Sequence, residues 1–263
     1  MTKRVERQFY TQPTLTVAKD LLGKYLVRRI GKKRLIGKIV ETEAYIGPED
    51  KASHAFLPRR DFRFQSNKDI KRIFGNKLLQ DKNFLRNLLR GGGKITERNK
   101  AEYLEGGHIY IYLVYGMYWQ FNISTSKKGR PECALIRALE PIIKIKNQIS
   151  NIKNTNQNSK TLKLANGPGK LCRWMNLDKS FYGEDLVKSK RIWLTKGGKI
   201  KPSRIVAAKR IGIDYAGPKW AAKKWRFYIK DNFFVSRKHN NLTNMRNGGI
   251  IKCTLKNKEV NDA

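Results

Sequence analysis

The sequence predicts an α+β fold: a single mixed domain with a curved antiparallel β-sheet and surrounding helices. Three observations carry this. Several segments alternate apolar and polar residues with period two and are separated by Gly-containing turns, as strands of a one-sided sheet do. Helical spacing of apolar residues occurs only in short stretches between them. With 263 residues, 40% of them hydrophobic, the chain can build one large core.

In chain order, Thr16 is placed to cap a short helix, VAKDLL, that stops at Gly23, where a left-handed residue costs least. KYLVRRI (residues 24–30) reads as a strand, Gly31-Lys32-Lys33 as a turn and RLIGKIVETEAYIG (34–47) as the returning strand. Residues 61–94 carry two helically spaced, strongly basic stretches closed by Gly91-Gly92-Gly93. HIYIYLVYGMYWQFNIS (108–124) is an antiparallel hairpin, with Ile109, Ile111 and Leu113 toward the core and Tyr110 and Tyr112 opposite. CALIRALEP (133–141) is another strand. Residues 147–160, NQISNIKNTNQNSK, are polar and low in complexity and read as a mobile loop; apolar strands resume on both sides, so it is no boundary. Gly167-Pro168-Gly169 opens a helix, KLCRWMNL, whose start could bind a phosphate near Lys170 or be a plain turn. RIWLTKG, KPSRIVAAKRIGI and WRFYIKDNFFVSR complete the sheet. One domain thus covers residues 1–238, and 239–263 form an Asn/Lys-rich tail.

Charge narrows the partners. There are 57 Lys plus Arg and 21 Asp plus Glu, so 57 − 21 = +36. A polyanion such as duplex DNA fits, since each neutralised phosphate releases counterions. Part of the excess is a general Lys/Asn background. Cys133, Cys172 and Cys253 are scattered, with no C-x-x-C pair, which argues against a structural zinc site, a cluster or a disulfide framework. No metal and no cofactor is expected. The N-terminal segment lacks an apolar signal region, and no apolar run approaches the ~20 residues of a membrane span. A monomer inside the cell, not secreted and not membrane-bound, is the expectation.

The chemistry concentrates in two segments, residues 40–54 and 107–124. Strand alternation puts Glu41, Glu43 and Tyr45 on one face and Val40, Thr42, Ala44 and Ile46 on the other. A buried carboxylate must be hydrogen-bonded or working. Glu43 could deprotonate a water for attack on a sugar C1′, or simply pair with one of the many cations. Tyr45, Tyr110 and Tyr112 could stack on an extruded base, at ~1–3 kcal/mol per base, or pack as ordinary strand residues. Tyr115, at the tip of V-Y-G-M with the turn-forming Gly116, could wedge into a base stack. Arg137 is a charge in an apolar strand, suited to binding a phosphate, orienting Glu43 or making a structural ion pair.

These residues resemble the alkyladenine DNA glycosylase family, the mammalian type of 3-methyladenine DNA glycosylase. The resemblance runs through residues 34–54 (R-L-I-G-K-I-V-E-T-E-A-Y-I-G-P-E-D-K-A-S-H), 108–118 (H-I-Y-I-Y-L-V-Y-G-M-Y) and F-N-I-S at 121–124. L-I-R-A-L-E-P at 135–141, N-G-P-G-K-L-C at 166–172, R-I-G-I at 210–213, W-R-F-Y-I and F-V-S-R follow in the family's order, spanning most of residues 17–237. Each is weak alone; together they are specific. The resemblance implies a monofunctional enzyme that flips damaged purines from duplex DNA and cuts the N-glycosidic bond with water. It implies Glu43 as general base and Arg137 as its partner in placing the water. It gives Tyr45, His54, Tyr112, Asn122 and Leu135 to the base pocket, with Tyr110 supporting it, and Tyr115 and Met117 to the intercalating tip. Three features depart from the family: T-E-R-N at 96–99 comes late, so 61–94 looks inserted; the 147–160 loop is long; and the tail is extra. The rival expectation is a non-catalytic basic nucleic-acid-binding protein of the same fold, which has no need of Glu43.

Overall fold

A computed structural model describes residues 3–57, 67–142, 144–145, 148–149 and 164–236. Of the expected loop at 147–160, only Gln148–Ile149 is described; it is a two-residue strand, β7, paired with β6, Lys144–Ile145. Residues 61–66 of the expected insertion and the whole tail, 239–263, lie outside the described residues.

The centre is an eight-stranded antiparallel sheet. Its longest strand, β2 (Lys33–Ile46), pairs with β5 (Glu132–Pro141) along one edge. Along the other edge it pairs first with β1 (Tyr25–Ile30), then with β10 (Arg226–Ile229). The order continues outward through β4 (Tyr118–Ser124) to β3 (Ile109–Val114) on one side, and through β1 to β8 (Ile192–Thr195) on the other; β9 (Ile205–Ala208) pairs with β10. The β1–β2 connection is tight because Gly31, at φ +56°, turns the chain where Ile30 faces Lys33.

Two helices cover one face of this sheet. They are α2 (Thr14–Asp20), after a single-turn α1 (Arg7–Tyr10), and α6 (Pro168–Met175). Val17, Ala18 and Leu21 from α2, with Leu171, Cys172 and Met175 from α6, meet Ile109, Ile111, Phe121, Ile123 and Ile136 in the main core. Thr16 is not the cap of α2. The helix starts two residues earlier, at Thr14, with Pro13 at the N-cap position and no side-chain cap; the Thr14 hydroxyl bonds Thr125 at 2.7 Å and Glu132. Gly23 ends the turn at φ +84°, as its position in the sequence predicts.

The strand β2 departs from strict alternation at one point. Its register against β5 shifts on either side of Glu41, so Ile39 and Val40 both reach the main core. Beyond the bulge the predicted faces hold: Ala44 joins the core, and the Thr42 hydroxyl donates to the Ala18 carbonyl at 2.7 Å. Glu41, Glu43 and Tyr45 are left on the opposite face.

A second, smaller core lies apart from the sheet. Three helices, α3 (Asn67–Phe74), α4 (Asn76–Leu79) and α5 (Lys82–Gly91), bring Ile70, Ile73, Phe84 and Leu88 against Ala55, Ile95 and Tyr103. Asp81 caps α5 through Asn83 and Phe84 N–H and pairs with Lys128 at 2.6 Å. The last helix, α7 (Pro218–Ala221), precedes β10. No helix of the described residues is long and apolar enough to cross a membrane.

Candidate active site

Cross-strand register assembles the site. Residues directly opposite one another on antiparallel strands share a face. Tyr110 lies opposite Asn122, Asn122 opposite Leu135, Leu135 opposite Glu43, and Glu43 opposite Arg226. Five residues far apart in sequence thus form one row across β3, β4, β5, β2 and β10, on the face away from α2 and α6.

Glu43 is fully buried in this row. Its Oε1 accepts the Ile211 backbone N–H at 2.8 Å, and its Oε2 accepts the Tyr45 hydroxyl at 2.8 Å. The Arg137 Nη1 stands 3.2 Å from Oε2. Glu41, also fully buried, accepts Arg226 Nη1 at 2.8 Å and the Ser236 N–H at 2.7 Å, with Arg137 Nε at 3.5 Å. Arg137 therefore sits between two carboxylates. Burial works against its charge, but Glu43 and Glu41 outweigh it and hold the guanidinium above its ordinary range. A group this enclosed, 8% exposed, is not positioned for a surface phosphate. Of the expectations for Arg137, the distances match two, orienting Glu43 and a structural ion pair.

Beside Glu43 lies an aromatic pocket. Tyr45, His54, Tyr110 and Tyr112 line it with Asn122, Cys133 and Glu102. Ring centroids of His54 and Tyr112 are 4.6 Å apart at 74°, and Tyr110 and Tyr112 are 5.1 Å apart. His54 Nδ1 is 2.6 Å from the Tyr110 hydroxyl. Burial of that edge, then Arg98, push the imidazole down to about 4, so the ring is neutral at pH 7 although the residue keeps an exposed edge. Burial, with Glu43, raises the Tyr45 phenol well above its ordinary value; it remains a hydrogen-bond donor to Glu43. Asn122 donates to the Tyr110 and Gln120 carbonyls at 3.1 and 3.2 Å. The pocket is narrow here, about 10 Å³, room for one water. A wider groove of about 530 Å³ shares only Tyr112 with it and is lined by Arg98, Trp119, Lys179 and Tyr182. The wider space holds none of the residues around Glu43, so the narrow pocket is the candidate site and Tyr112 is the partition between the two.

The hairpin tip carries Tyr115 at 87% exposure and Met117 at 62%. Met117 N–H closes the turn on the Val114 carbonyl at 3.2 Å. Both central residues are left-handed, Tyr115 at φ +53° and Gly116 at φ +69°. The strands stay paired to Val114 and Tyr118, so the loop has three residues, and at its first position a bulky non-glycine residue pays backbone strain to turn left-handed.

Not every expected residue reaches the pocket. Leu135 is buried in the row between Glu43 and Asn122 without lining the cavity. Lys170 is exposed on the first turn of α6, its Nζ 3.1 Å from Asn166, and it does not line the pocket.

Several residues were not singled out by sequence reasoning. Arg210 clamps Asp50 with two contacts, 2.5 and 2.9 Å, donates to the Ala44 carbonyl at 3.1 Å and lies 4.8 Å over the Tyr45 ring. It thereby fixes the turn leading to His54 and delivers Ile211 to Glu43. Asn99 donates to the His54 and Lys94 carbonyls. R-I-G-I and T-E-R-N were the available signals, visible as motifs but silent about what they hold. Glu102, in a 3₁₀ turn at Lys100–Tyr103, gave no signal.

A buried, ion-paired carboxylate beside an aromatic pocket, in a strongly cationic chain whose hairpin tip exposes a tyrosine, fits the class of base-excising DNA glycosylases. A family model described as methylpurine-DNA glycosylase (MPG) matches residues 8–66 and 90–233, and the chain belongs to that family. The unmatched stretch between, residues 67–89, holds α3, α4 and all but the last two residues of α5. Similar proteins include one from Natranaerobius thermophilus, 40% identical over 89% of this chain and 98% of its own length, and one from Clostridium novyi, 42% identical over 90% and 100%. One from Borreliella burgdorferi is 37% identical over 89% and 100%. Each of the three bears the name "Putative 3-methyladenine DNA glycosylase".

Proposed function

We propose that this DNA glycosylase excises alkylated and deaminated purines, 3-methyladenine-type bases, hypoxanthine and ethenoadenine, from duplex DNA through a water activated by Glu43. The observation that carries it is the Glu43 carboxylate, buried, oriented by three donors and adjoining the ring pocket through Tyr45. The cationic surface holds the duplex as a monomer, and the Tyr115 ring, with Met117 beside it, enters the stack as the damaged nucleotide leaves. The base lodges against Tyr45, His54 and Tyr112, with Asn122 and Leu135 behind. Rings at 4.6 Å leave no space for a third between them, so entry requires the Tyr112 ring to move into the neighbouring groove.

Glu43 then takes a proton from the water as its oxygen attacks C1′, and its remaining charge stabilises the oxocarbenium-like sugar. Arg137 keeps the carboxylate aimed. The N-glycosidic electron pair departs with the base and an abasic site remains. No lysine amine is used, so no Schiff base forms.

The test is base release from duplexes carrying one hypoxanthine or ethenoadenine and from methylated DNA. Wild type should release base, and Glu43→Gln should lose at least ~10²-fold in single-turnover rate while binding DNA as before. Unchanged release by Glu43→Gln would remove the general base from that residue. Tight binding by wild type with no release from any substrate would favour the non-catalytic reading.

A further inference from the structure

Glu102 is a buried acid in the pocket for which the mechanism above has no use. It is 1% exposed and lines the same narrow cavity as Tyr45, His54 and Asn122. Its Oε1 accepts the Cys133 thiol at 3.3 Å. Its Oε2 has no hydrogen-bond partner among the described residues. A buried polar atom without a partner costs stability, and one facing a ligand pocket acquires a partner when the ligand arrives.

We propose that Glu102 is the general acid for neutral purines, donating the proton of its free carboxyl oxygen to a ring nitrogen of the flipped base as the glycosidic bond breaks. This rests on the glycosylase reading above and deepens it. The chemistry needs such a group for one substrate class only. A purine alkylated on N3 or N7 is already cationic and leaves as a neutral molecule. Hypoxanthine is neutral and would leave as an anion.

With Glu102, the balance closes. The Oε2–H bond breaks and its proton goes to N3 or N7. The N9–C1′ electron pair moves into the ring system, the water oxygen bonds C1′, and the water's proton goes to Glu43. The base departs neutral, Glu102 is left as carboxylate and Glu43 as acid, and exchange with solvent resets both. The sum is hydrolysis by one water.

The surroundings keep the proton in place until then. Burial first, opposed by the Cys133 hydrogen bond and assisted by the Asp50 charge, pushes the Glu102 carboxyl up to about 8. The groups around it are Cys133 from β5, Asp50 from the turn after β2, Tyr110 and Tyr112 from β3, Tyr103 beside it in the chain, Tyr182, and Tyr45 and His54 across the pocket, with Arg98 behind the Tyr112 ring at 5.0 Å. No cation pairs with Glu102 among the described residues, and burial keeps the Cys133 thiol and the Tyr110, Tyr112 and Tyr45 phenols neutral. His54 is neutral. A carboxyl held neutral in an apolar site so that it can donate is a recognised catalytic device.

The experiment compares Glu102→Gln with wild type on two duplexes, one with hypoxanthine and one with cationic 7-methylguanine. Glutamine keeps the shape and a donor but has no proton to transfer. Hypoxanthine excision should fall ~10²-fold or more, and 7-methylguanine excision should change by less than about threefold. A second measurement needs no variant. Wild-type hypoxanthine excision should decline as pH rises through about 8, while 7-methylguanine excision shows no such limb. Equal losses on both substrates would make Glu102 structural, a greater loss on the cationic base would make it a counter-charge, and no loss would give it no role; each overturns the proposal. Identical wild-type pH profiles would overturn it even if the variant fails to fold. Failure of the underlying reading looks different: wild type would release neither base, or Glu43→Gln would release both.

Discussion

Glu43 and Glu102 are two buried carboxyl groups with opposite company. Glu43 meets a guanidinium, a phenol and a backbone N–H; Glu102 meets a thiol and no cation. Such asymmetry is what the two proposed roles, base and acid, require of one site. It also has a consequence for stability. The Glu102 carboxyl is raised to about 8 when folded, against 4.5 in the unfolded chain, so the folded state holds its proton longer. Ionisation adds no penalty to its burial below the unfolded value, and that added cost accumulates as pH rises from about 4.5 to about 8. Glu102→Gln should therefore gain stability relative to wild type at pH 8.5 compared with pH 5, by a few kcal/mol. Denaturant titrations at the two pH values measure this; a pH-independent difference would contradict it. At the hairpin tip, Tyr115→Asn relieves a left-handed tyrosine, since asparagine tolerates that region. The variant should be as stable as wild type or up to ~1 kcal/mol more stable, yet excise more slowly, as thermal melts and single-turnover rates will report. Parallel losses of stability and activity would remove the case for strain kept for function.

At the scale of elements, the sheet was legible because alternation is local. VETEAYI declares its two faces without reference to the rest of the chain, so Glu43 and Tyr45 could be placed from sequence. The partners could not. Arg210 and Ile211 reach Glu43 and Asp50 only because β9 and β10 return alongside β2, and the bulge at Glu41 follows from pairing with β5. Glu102 sits in a 3₁₀ turn whose place is fixed by Cys133 and by the Tyr182 hydroxyl, which accepts the Ala101 N–H at 2.9 Å. No pattern in KAEY announces a pocket. The helices α3–α5, almost wholly outside the family match, pack against residues that neighbour the site: Phe84 lies in one cluster with Ala55, next to His54, and Tyr103, next to Glu102. Phe84→Ala should cost about 3–5 kcal/mol in stability and raise KM more than it lowers kcat, because it loosens the pocket wall and leaves Glu43 untouched. A melt combined with steady-state kinetics decides this, and an unaltered KM would confine the cluster to stability.

For the whole molecule, the dominant quantity is the charge of +36. Few of the cations are needed inside: among the described residues Arg137, Arg210 and Arg226 are consumed by Glu41, Glu43 and Asp50. The rest of the excess acts through the surface, where attraction to DNA is mostly counterion release and is graded by salt. Binding of undamaged duplex should therefore weaken with a slope of log K against log salt near −0.9 for each phosphate neutralised, so a footprint of about six phosphates gives a slope near −5. Tyr115→Asn removes a ring and no charge, so it should lower affinity for lesion-containing duplex without changing that slope. Fluorescence anisotropy over about 50 to 200 mM salt separates the two contributions. A flat salt dependence in wild type would mean that the excess charge is a compositional background and that the pocket and hairpin tip, rather than the surface field, hold the DNA.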